Sequence, residues 1–214
     1  SQRHAVMMVG GPILVFAGAG SGKTRVLTHK IAYLINEIGI PPQNILAVTF
    51  TNKAASEMKS RVQSIVSSDS SKVHVGTFHS ICAGILRRQI HKIGYTNDFT
   101  IYDQNDSKSL LKEVVKEINM DLKTYDPRTC QIKISQYKNK LQSPENVASL
   151  ATDIFEERIA QVYEHYQKKL KDFNSVDFDD LLLLPLQLFK DSEETLKFYQ
   201  SQFQYVLVDE YQDT

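Results

Sequence analysis

ILVFAGAGSGKTRV, residues 13–26, is the stretch that decides the fold. Its apolar start, Ile13–Phe16, predicts a buried strand, and the glycines at positions 18, 20 and 22 predict a tight turn into a helix. In such a turn, backbone N–H groups and the helix N-terminus converge on one point and favour a phosphate. Lys23 then reaches the terminal phosphates and the Thr24 hydroxyl holds Mg²⁺. We therefore predict a phosphate-binding loop.

One position departs from the general pattern G-x-x-x-x-G-K-[ST]. The pattern begins with glycine, and this chain has Ala17 there. Alanine is small enough to make this a mild deviation. The alternative interpretation is an ordinary strand-to-helix turn with a surface lysine.

Composition excludes several classes of protein. The chain has 214 residues, 42% hydrophobic and 23% charged, which is typical of one large or two modest globular domains. The sequence contains no apolar run near the ~18 residues of a membrane span, so we expect no membrane partner. Cys82 and Cys130 are far apart in sequence and predict reduced thiols in a cytoplasmic protein. His79 lies one helical turn from Cys82, but two side chains do not make a metal site.

The charge is unevenly distributed along the chain. Residues 1–98 carry eleven Lys or Arg against four Asp or Glu, and residues 99–214 carry fourteen against twenty-one. A basic half suits a polyanionic partner such as a nucleotide or a nucleic acid. Segregation of charges between two solvated faces explains the counts equally well.

The predicted elements change in character along the chain. Strands at 13–16, 45–50, 73–76 and 205–208 alternate with helices, one of which Thr51 or Asn52 can cap, and predict a parallel sheet. From about 103 to about 173 no strand is predicted, only helices at 104–118, 127–141, 144–150 and 154–173. We interpret this stretch as a helical insertion into an α/β domain.

Two acidic clusters have different interpretations. Asp209 and Glu210 follow the last strand, at the edge where open α/β sheets bind ligands. Asp209 is placed to hold Mg²⁺, and Glu210 to orient and deprotonate an attacking water. Asp177, Asp179 and Asp180 begin a further helix, in which Pro185 marks either a kink or a break. These three carboxylates suggest N-capping more than a two-metal nuclease site.

Seven sequence motifs follow one another along the chain: QRHAV at 2–6, AGAGSGKTRVLTHKI at 17–31, AVTFTNKAASEM at 47–58, VGTFHS at 75–80, FTIYD at 99–103, DFDDLL at 177–182 and VLVDEYQDT at 206–214. Through these motifs the chain resembles the UvrD/PcrA/Rep group of superfamily I DNA helicases over essentially its whole length. Lys30 stands where the resembled motif has arginine.

The resemblance implies an architecture and an activity. The fold is a RecA-like P-loop NTPase parallel sheet with an inserted all-helical subdomain. Domain 1A comprises residues 1–98 and 175–214, and subdomain 1B comprises 99–174. Proteins of this group hydrolyse ATP, with Mg²⁺, to move 3′ to 5′ along single-stranded DNA and to open duplexes at single-strand/double-strand junctions.

The resemblance also implies roles for residues. Gln2 matches a glutamine that hydrogen-bonds adenine, and Arg25 matches an arginine near the nucleotide. Gln212 matches a residue that links the state of the γ-phosphate to DNA binding. An ordinary surface role is the alternative for each of the three residues. The expected nucleotide-binding loop is Ala19, Gly20, Ser21, Gly22, Lys23 and Thr24, and the expected catalytic residues are Lys23, Glu210 and Gln212. The expected DNA-contacting residues are Thr49, Phe50, Thr51, Asn52, Thr77, Phe78 and His79; without the resemblance, both phenylalanines would be interpreted as core.

Further expectations concern the rest of the protein. A second RecA-like domain, absent from residues 1–214, is expected as a partner that supplies arginines to the transferring phosphoryl group. Residues 1–214 alone are then expected to bind nucleotide weakly and hydrolyse it slowly. The expected location is the bacterial nucleoid region of the cytoplasm, or the nucleus or an organelle in a eukaryote. The oligomeric state is not predicted.

Two other functions compete with a helicase motor. A regulatory module that uses ATP only as a conformational ligand requires a defective lysine or glutamate, and Lys23 and Glu210 are both present. A small-molecule kinase requires a lid with its own arginines and does not explain the TFTNKAA and DEYQDT motifs.

Overall fold

The computed structural model describes residues 2–18, 20–66 and 70–213. The chain divides into two compact units. The first comprises Ser1–Ile81 and Glu194–Thr214, and the second comprises Cys82–Glu193. The predicted insertion, 99–174, lies inside the second unit, and its bounds remain a prediction.

The first unit contains a parallel three-stranded sheet, as the α/β prediction requires. Its strands are β1 (Ile45–Thr49), β2 (His74–Thr77) and β5 (Tyr205–Val208), and they lie in the order β2-β1-β5. Thr49 lies opposite Thr77, and Val48 lies opposite Val208, so all three strands end at the same edge. All five residues of β1 are buried, as expected for a central parallel strand.

Helices of the first unit cover this sheet. Ile31 and Leu34 from one helix and Met58 and Val62 from another pack with the strand residue Ile45 in one buried cluster. The helices are α1 (Gln2–Met7), α2 (Lys23–Asn36) and α3 (Asn52–Ile65); α4 (Phe78–Gln89) and α10 (Glu193–Gln202) each begin in one unit and end in the other.

The predicted strand Ile13–Phe16 is wrong. The segment has no ladder partner among the described residues, and all four side chains are exposed, Phe16 to 90%. A run of apolar residues indicates a preference for burial but does not supply the neighbouring strand that would satisfy its backbone groups. The loop and the helix that follow it form as predicted.

The second unit is mostly helical. Asp103 caps α5 in a capping box with Asp106, and Asp126, Ser143 and Asp153 accept from the first N–H groups of the next three helices. The helices are α5 (Gln104–Glu117), α6 (Pro127–Asn139), α7 (Pro144–Leu150), α8 (Ile154–Asp172) and α9 (Asp180–Asp191).

The elements from residue 99 onward agree only in part with the predictions. No strand lies between residues 103 and 173, as predicted, but β3 (Thr100–Ile101) and β4 (Ser175–Val176) form a short parallel ladder that was not predicted. Helix α10 was also missed. Pro185 lies inside α9, so it does not break the helix.

A buried ionic cluster settles the role of two of the three aspartates at residues 177–180. Lys138, 1% exposed, donates from Nζ to Asp177 Oδ2 at 2.7 Å and to Asp180 Oδ1 at 2.8 Å. The Asp180 N–H donates to Asp177 Oδ1, and the Asp177 N–H donates to Asp180 Oδ2. Asp177 therefore accepts from the first N–H of α9, in agreement with the capping interpretation, and both carboxylates also neutralise a buried lysine, which was not predicted.

The same cluster shifts the pKa values of its carboxyl groups. Burial, with the nearby Asp177 charge, raises the pKa of Asp180 to about 6 despite Lys138. Burial also opposes ionisation of Asp177, but the charge and hydrogen bond of Lys138 hold the pKa of Asp177 below its ordinary value. The pair thus favours one proton on Asp180 as the pH falls.

In the described ranges, no helix is long and apolar enough to cross a membrane. The same ranges contain no group of three or more His, Cys, Asp or Glu side chains arranged to hold a metal ion.

Candidate nucleotide-binding site

The loop of residues 17–22 has the backbone that its glycines predict. Gly20 has φ 73° and Gly22 has φ 86°, both left-handed conformations that favour glycine. The Ser21 backbone N–H and side-chain hydroxyl both donate to the Gly18 carbonyl, closing the turn. Ala19 lies outside the described residues. Gly22 precedes α2, so the loop leads directly into that helix N-terminus.

Lys23 and Thr24 bring the loop to the end of β5. Lys23 Nζ lies 3.8 Å from Glu210 Oε1 and 3.4 Å from the Ala17 carbonyl oxygen. The Thr24 hydroxyl donates to Asp209 Oδ2 at 3.1 Å, across 185 residues of sequence. The structure therefore brings together the two motifs that sequence analysis placed in one pocket.

The acidic pair is held by the sheet. The Asp209 N–H donates to the Val48 carbonyl at 2.9 Å, and Asp209 is 6% exposed. Glu210 has φ 53°, a left-handed conformation that costs energy for a non-glycine residue and is concentrated at functional sites. Gln212 donates from Nε2 to Glu210 Oε2. Lys23 therefore pairs with one carboxylate oxygen of Glu210, and Gln212 donates to the other.

The chemistry of Thr24 and Asp209 fits a magnesium ion. A hydroxyl and a carboxylate are hard oxygen ligands, and Mg²⁺ takes one or two protein ligands beside phosphate and water. Ligands at adjacent corners of an octahedron with bonds of about 2.1 Å are about 3 Å apart. The two side-chain oxygens are 3.1 Å apart, so they match that spacing.

A cavity of about 450 Å³ lies between α1 and α2. Gln2 lines it and donates from Nε2 to the Ser21 carbonyl at 2.7 Å. Gln2 packs closely enough that a Cβ at Gly22 would lie 3.1 Å from its amide nitrogen. Arg25, the second residue predicted near the nucleotide, also lines the cavity and donates from Nε to His29 Nε2 at 3.4 Å.

Sequence analysis missed part of this cavity wall. His29 and Tyr33 line it together with Arg25. The three residues are spaced i, i+4 and i+8, which places them on one face of α2. This spacing is visible in the sequence, but it identifies a cavity wall only when α1 is known to face it.

The predicted DNA-contacting residues follow the two other strands of the sheet. Thr49 is buried and donates to the Thr51 carbonyl at 3.1 Å, and Thr51 caps α3 through the Ala54 N–H. Phe50 is 59% exposed, so its interpretation as a core residue is wrong. Asn52 is exposed at the start of α3.

The second group lies beside the first. Thr77 is opposite Thr49 in the β1–β2 register, and its hydroxyl accepts from the Ser80 N–H at 3.2 Å. Phe78 and His79, at the start of α4, are partly buried. Both predicted DNA segments and the acidic pair therefore leave the same edge of one parallel sheet.

A glycine turn opening a helix, with a threonine hydroxyl on a carboxylate at the end of a parallel strand, defines a phosphate-loop nucleotide-binding domain of the RecA-like kind. The sequence model described as the UvrD/REP helicase N-terminal domain matches residues 1–214. The chain therefore belongs to the UvrD/REP helicase family.

Several curated proteins that are similar to this chain are named ATP-dependent DNA helicase PcrA. The chain is 50% identical over 213 residues to the ATP-dependent DNA helicase PcrA of Bacillus subtilis (strain 168). It is 49% identical to the proteins of that name from Staphylococcus epidermidis (strain ATCC 12228) and Staphylococcus aureus (strain Mu50). In each case the match covers 100% of this chain and 29% of the relative's length.

Proposed function

We propose that this chain is the ATP-binding part of the motor of an ATP-dependent DNA helicase. The observation that carries the proposal is the contact between the Thr24 hydroxyl and Asp209 Oδ2, beside the ion pair of Lys23 with Glu210. These contacts join the phosphate loop to the acidic pair in one pocket. The PcrA relatives are named ATP-dependent DNA helicases, which supports the proposal that ATP bound in this pocket is used to act on DNA.

Each side chain of the pocket has a role in the proposal. Lys23 binds the terminal phosphates, while Thr24 and Asp209 hold Mg²⁺, which neutralises phosphate charge when bound. Glu210 takes a proton from the attacking water, since its carboxylate lies at the phosphate-binding lysine. Gln212 already donates to Glu210, so it is placed to report the state of the γ-phosphate.

The base of the nucleotide is proposed to bind at Gln2 and Arg25. An amide can accept from adenine N6 and donate to adenine N7, whereas guanine presents an acceptor in place of the N6 donor. Gln2 uses one amide N–H on Ser21, and within the described part of the chain its carbonyl oxygen and second N–H make no further hydrogen bond. The guanidinium of Arg25, in the same cavity, can stack on the base plane.

Single-stranded DNA is proposed to bind at the carboxyl ends of β1 and β2. The exposed ring of Phe50 can stack on a base, and the threonine, asparagine and histidine side chains around it suit phosphates. Movement in the 3′ to 5′ direction and opening of strand junctions are proposed for the intact protein from the family resemblance.

Further parts of the activity are proposed to come from outside residues 1–214. The chain spans 29% of the length of the relatives it matches. A second RecA-like domain would supply arginines worth about 10³–10⁵ in rate, as in related phosphoryl-transfer systems. Residues 1–214 alone should therefore bind nucleotide and turn it over slowly, and we place the intact protein in the cytoplasm with its DNA.

An ATPase assay with single-stranded DNA and an unwinding assay on the intact protein test this proposal. Lys23→Ala should abolish both activities, because it removes the positive charge from the phosphate pocket. Intact protein that binds DNA but never hydrolyses ATP would contradict the proposal. It would favour a regulatory module that uses nucleotide only as a ligand.

A further inference from the structure

Among the described residues, helix α1 has little apolar anchorage. It spans Gln2–Met7, and none of its residues is buried. Contacts other than a hydrophobic face must therefore hold it in place.

One such contact comes from Lys30 of α2. Lys30 is only 5% exposed, and its Nζ donates to the Val6 carbonyl at 3.0 Å and to the Met8 carbonyl. These oxygens lie at the C-terminal end of α1, where helix carbonyls lack partners and a cation is favoured. Burial lowers the pKa of Lys30, because the ammonium has lost part of its hydration.

The other end of α1 touches the phosphate loop. Gln2 donates to the Ser21 carbonyl at 2.7 Å, and its amide nitrogen lies where a Cβ at Gly22 would come within 3.1 Å of it. Gln2 and Val6 also line the cavity between α1 and α2. The helix is thus tied to α2 through Lys30 at one end and to the loop through Gln2 at the other.

We propose that Lys30 is a positioning residue for adenine recognition, which fixes α1 and thereby holds Gln2 at the edge of the nucleotide pocket. The inference rests on the proposed function, since it concerns the same pocket. Neither Lys23 nor Thr24 depends on α1 for its contacts with Glu210 and Asp209. Lys30 should therefore affect selection of the base and leave phosphate binding intact.

Titration calorimetry with Mg·ATP and Mg·GTP on residues 1–214 tests the inference. Lys30→Met keeps most of the aliphatic stem and removes the donors. It should weaken ATP binding about fivefold, which corresponds to one ordinary hydrogen bond. Its affinity for GTP should stay within about twofold of the wild-type value. Lys30→Arg, which retains cationic donors, should keep most of the ATP preference. Lys59→Met removes the same charge from an exposed position of α3 and should change neither affinity.

A second comparison asks whether Lys30 acts through Gln2. Gln2→Ala should lower the ratio of ATP to GTP affinity, and adding Lys30→Met to it should lower that ratio no further. Equal weakening of both nucleotides by Lys30→Met, or additive effects in the double variant, would overturn the inference. Loss of the cooperative thermal transition in Lys30→Met would also overturn it, because Lys30 would then support the whole unit.

The failure of the proposed function has a different signature. Wild-type chain that binds neither nucleotide would contradict the function itself, whatever the variants do. Wild-type chain that prefers ATP, with the preference lost in Gln2→Ala but kept in Lys30→Met, would contradict only the role of Lys30.

Discussion

Replacing Lys138 by methionine tests the buried ionic cluster of the second unit. Lys138 is 1% exposed, and its Nζ lies 2.7 Å from Asp177 and 2.8 Å from Asp180. Methionine fills a similar volume but leaves two buried carboxylates without a cation. Removing one partner of a buried ion pair costs about 3–5 kcal/mol. A typical domain has about 5–15 kcal/mol of stability in total, so the loss should be large.

Urea unfolding of residues 1–214 followed by far-UV circular dichroism measures this loss, because the second unit is mostly helical. Lys140→Met is the matched control: Lys140 is exposed at the end of the same helix, and its loss should cost no more than about 0.5 kcal/mol. Replacing the whole cluster, with Lys138→Met, Asp177→Asn and Asp180→Asn together, should recover part of the stability.

The loss should also depend on pH. Without Lys138 the native pKa values of both aspartates rise above the unfolded value of about 3.9, so stability falls as the pH rises through them. Lys138→Met should therefore be more destabilising at pH 7 than at pH 5. A free energy of unfolding within about 1 kcal/mol of wild type at pH 7, or a loss that is the same at both pH values, would refute the reasoning.

Three further predictions concern single residues. The pKa of Asp180 is raised to about 6, so the wild-type free energy of unfolding should fall as the pH rises from about 4 to about 6. Asp180→Asn lacks this titration, so its free energy of unfolding should rise relative to that of the wild type over the same interval. Parallel curves of unfolding free energy against pH would contradict this. Glu210→Gln in the intact protein should keep ATP binding and lose about 10²–10⁴ in hydrolysis rate, whereas retained turnover would place the base elsewhere. Phe50→Ala should weaken single-stranded DNA binding by about 1–3 kcal/mol without changing nucleotide affinity, and equal effects on both ligands would argue against stacking.

Local motifs were predicted well because their chemistry is written in adjacent residues. The glycine turn requires left-handed backbone at positions that sequence alone identifies, and Gly20 and Gly22 adopt it. The convergence of the loop with Asp209 followed from a general rule, that ligands bind at the carboxyl ends of parallel strands. The Thr24–Asp209 contact confirms that geometry.

Long-range partners that no general rule of the fold brings together were not predictable from one sequence. Lys138 meets Asp177 across 39 residues, and nothing in its helix distinguishes it from the neighbouring lysines. The segment Ile13–Phe16 shows the converse error, since its apolar residues predicted burial and its side chains are exposed. Helix α10 was missed because only Thr195 and Tyr199 are buried in it, which is too weak a periodic signal.

The central claim is that the phosphate loop and the acidic pair form one pocket for Mg·ATP. Calorimetric titration of ATP into wild-type chain and Asp209→Asn, each with Mg²⁺ and with a chelator, tests it most directly. Wild-type affinity should rise on adding Mg²⁺, and Asp209→Asn should lose that rise while keeping its affinity in the chelator. A wild-type affinity for ATP that does not change with Mg²⁺, or an increase with Mg²⁺ that remains in Asp209→Asn, would contradict the shared pocket.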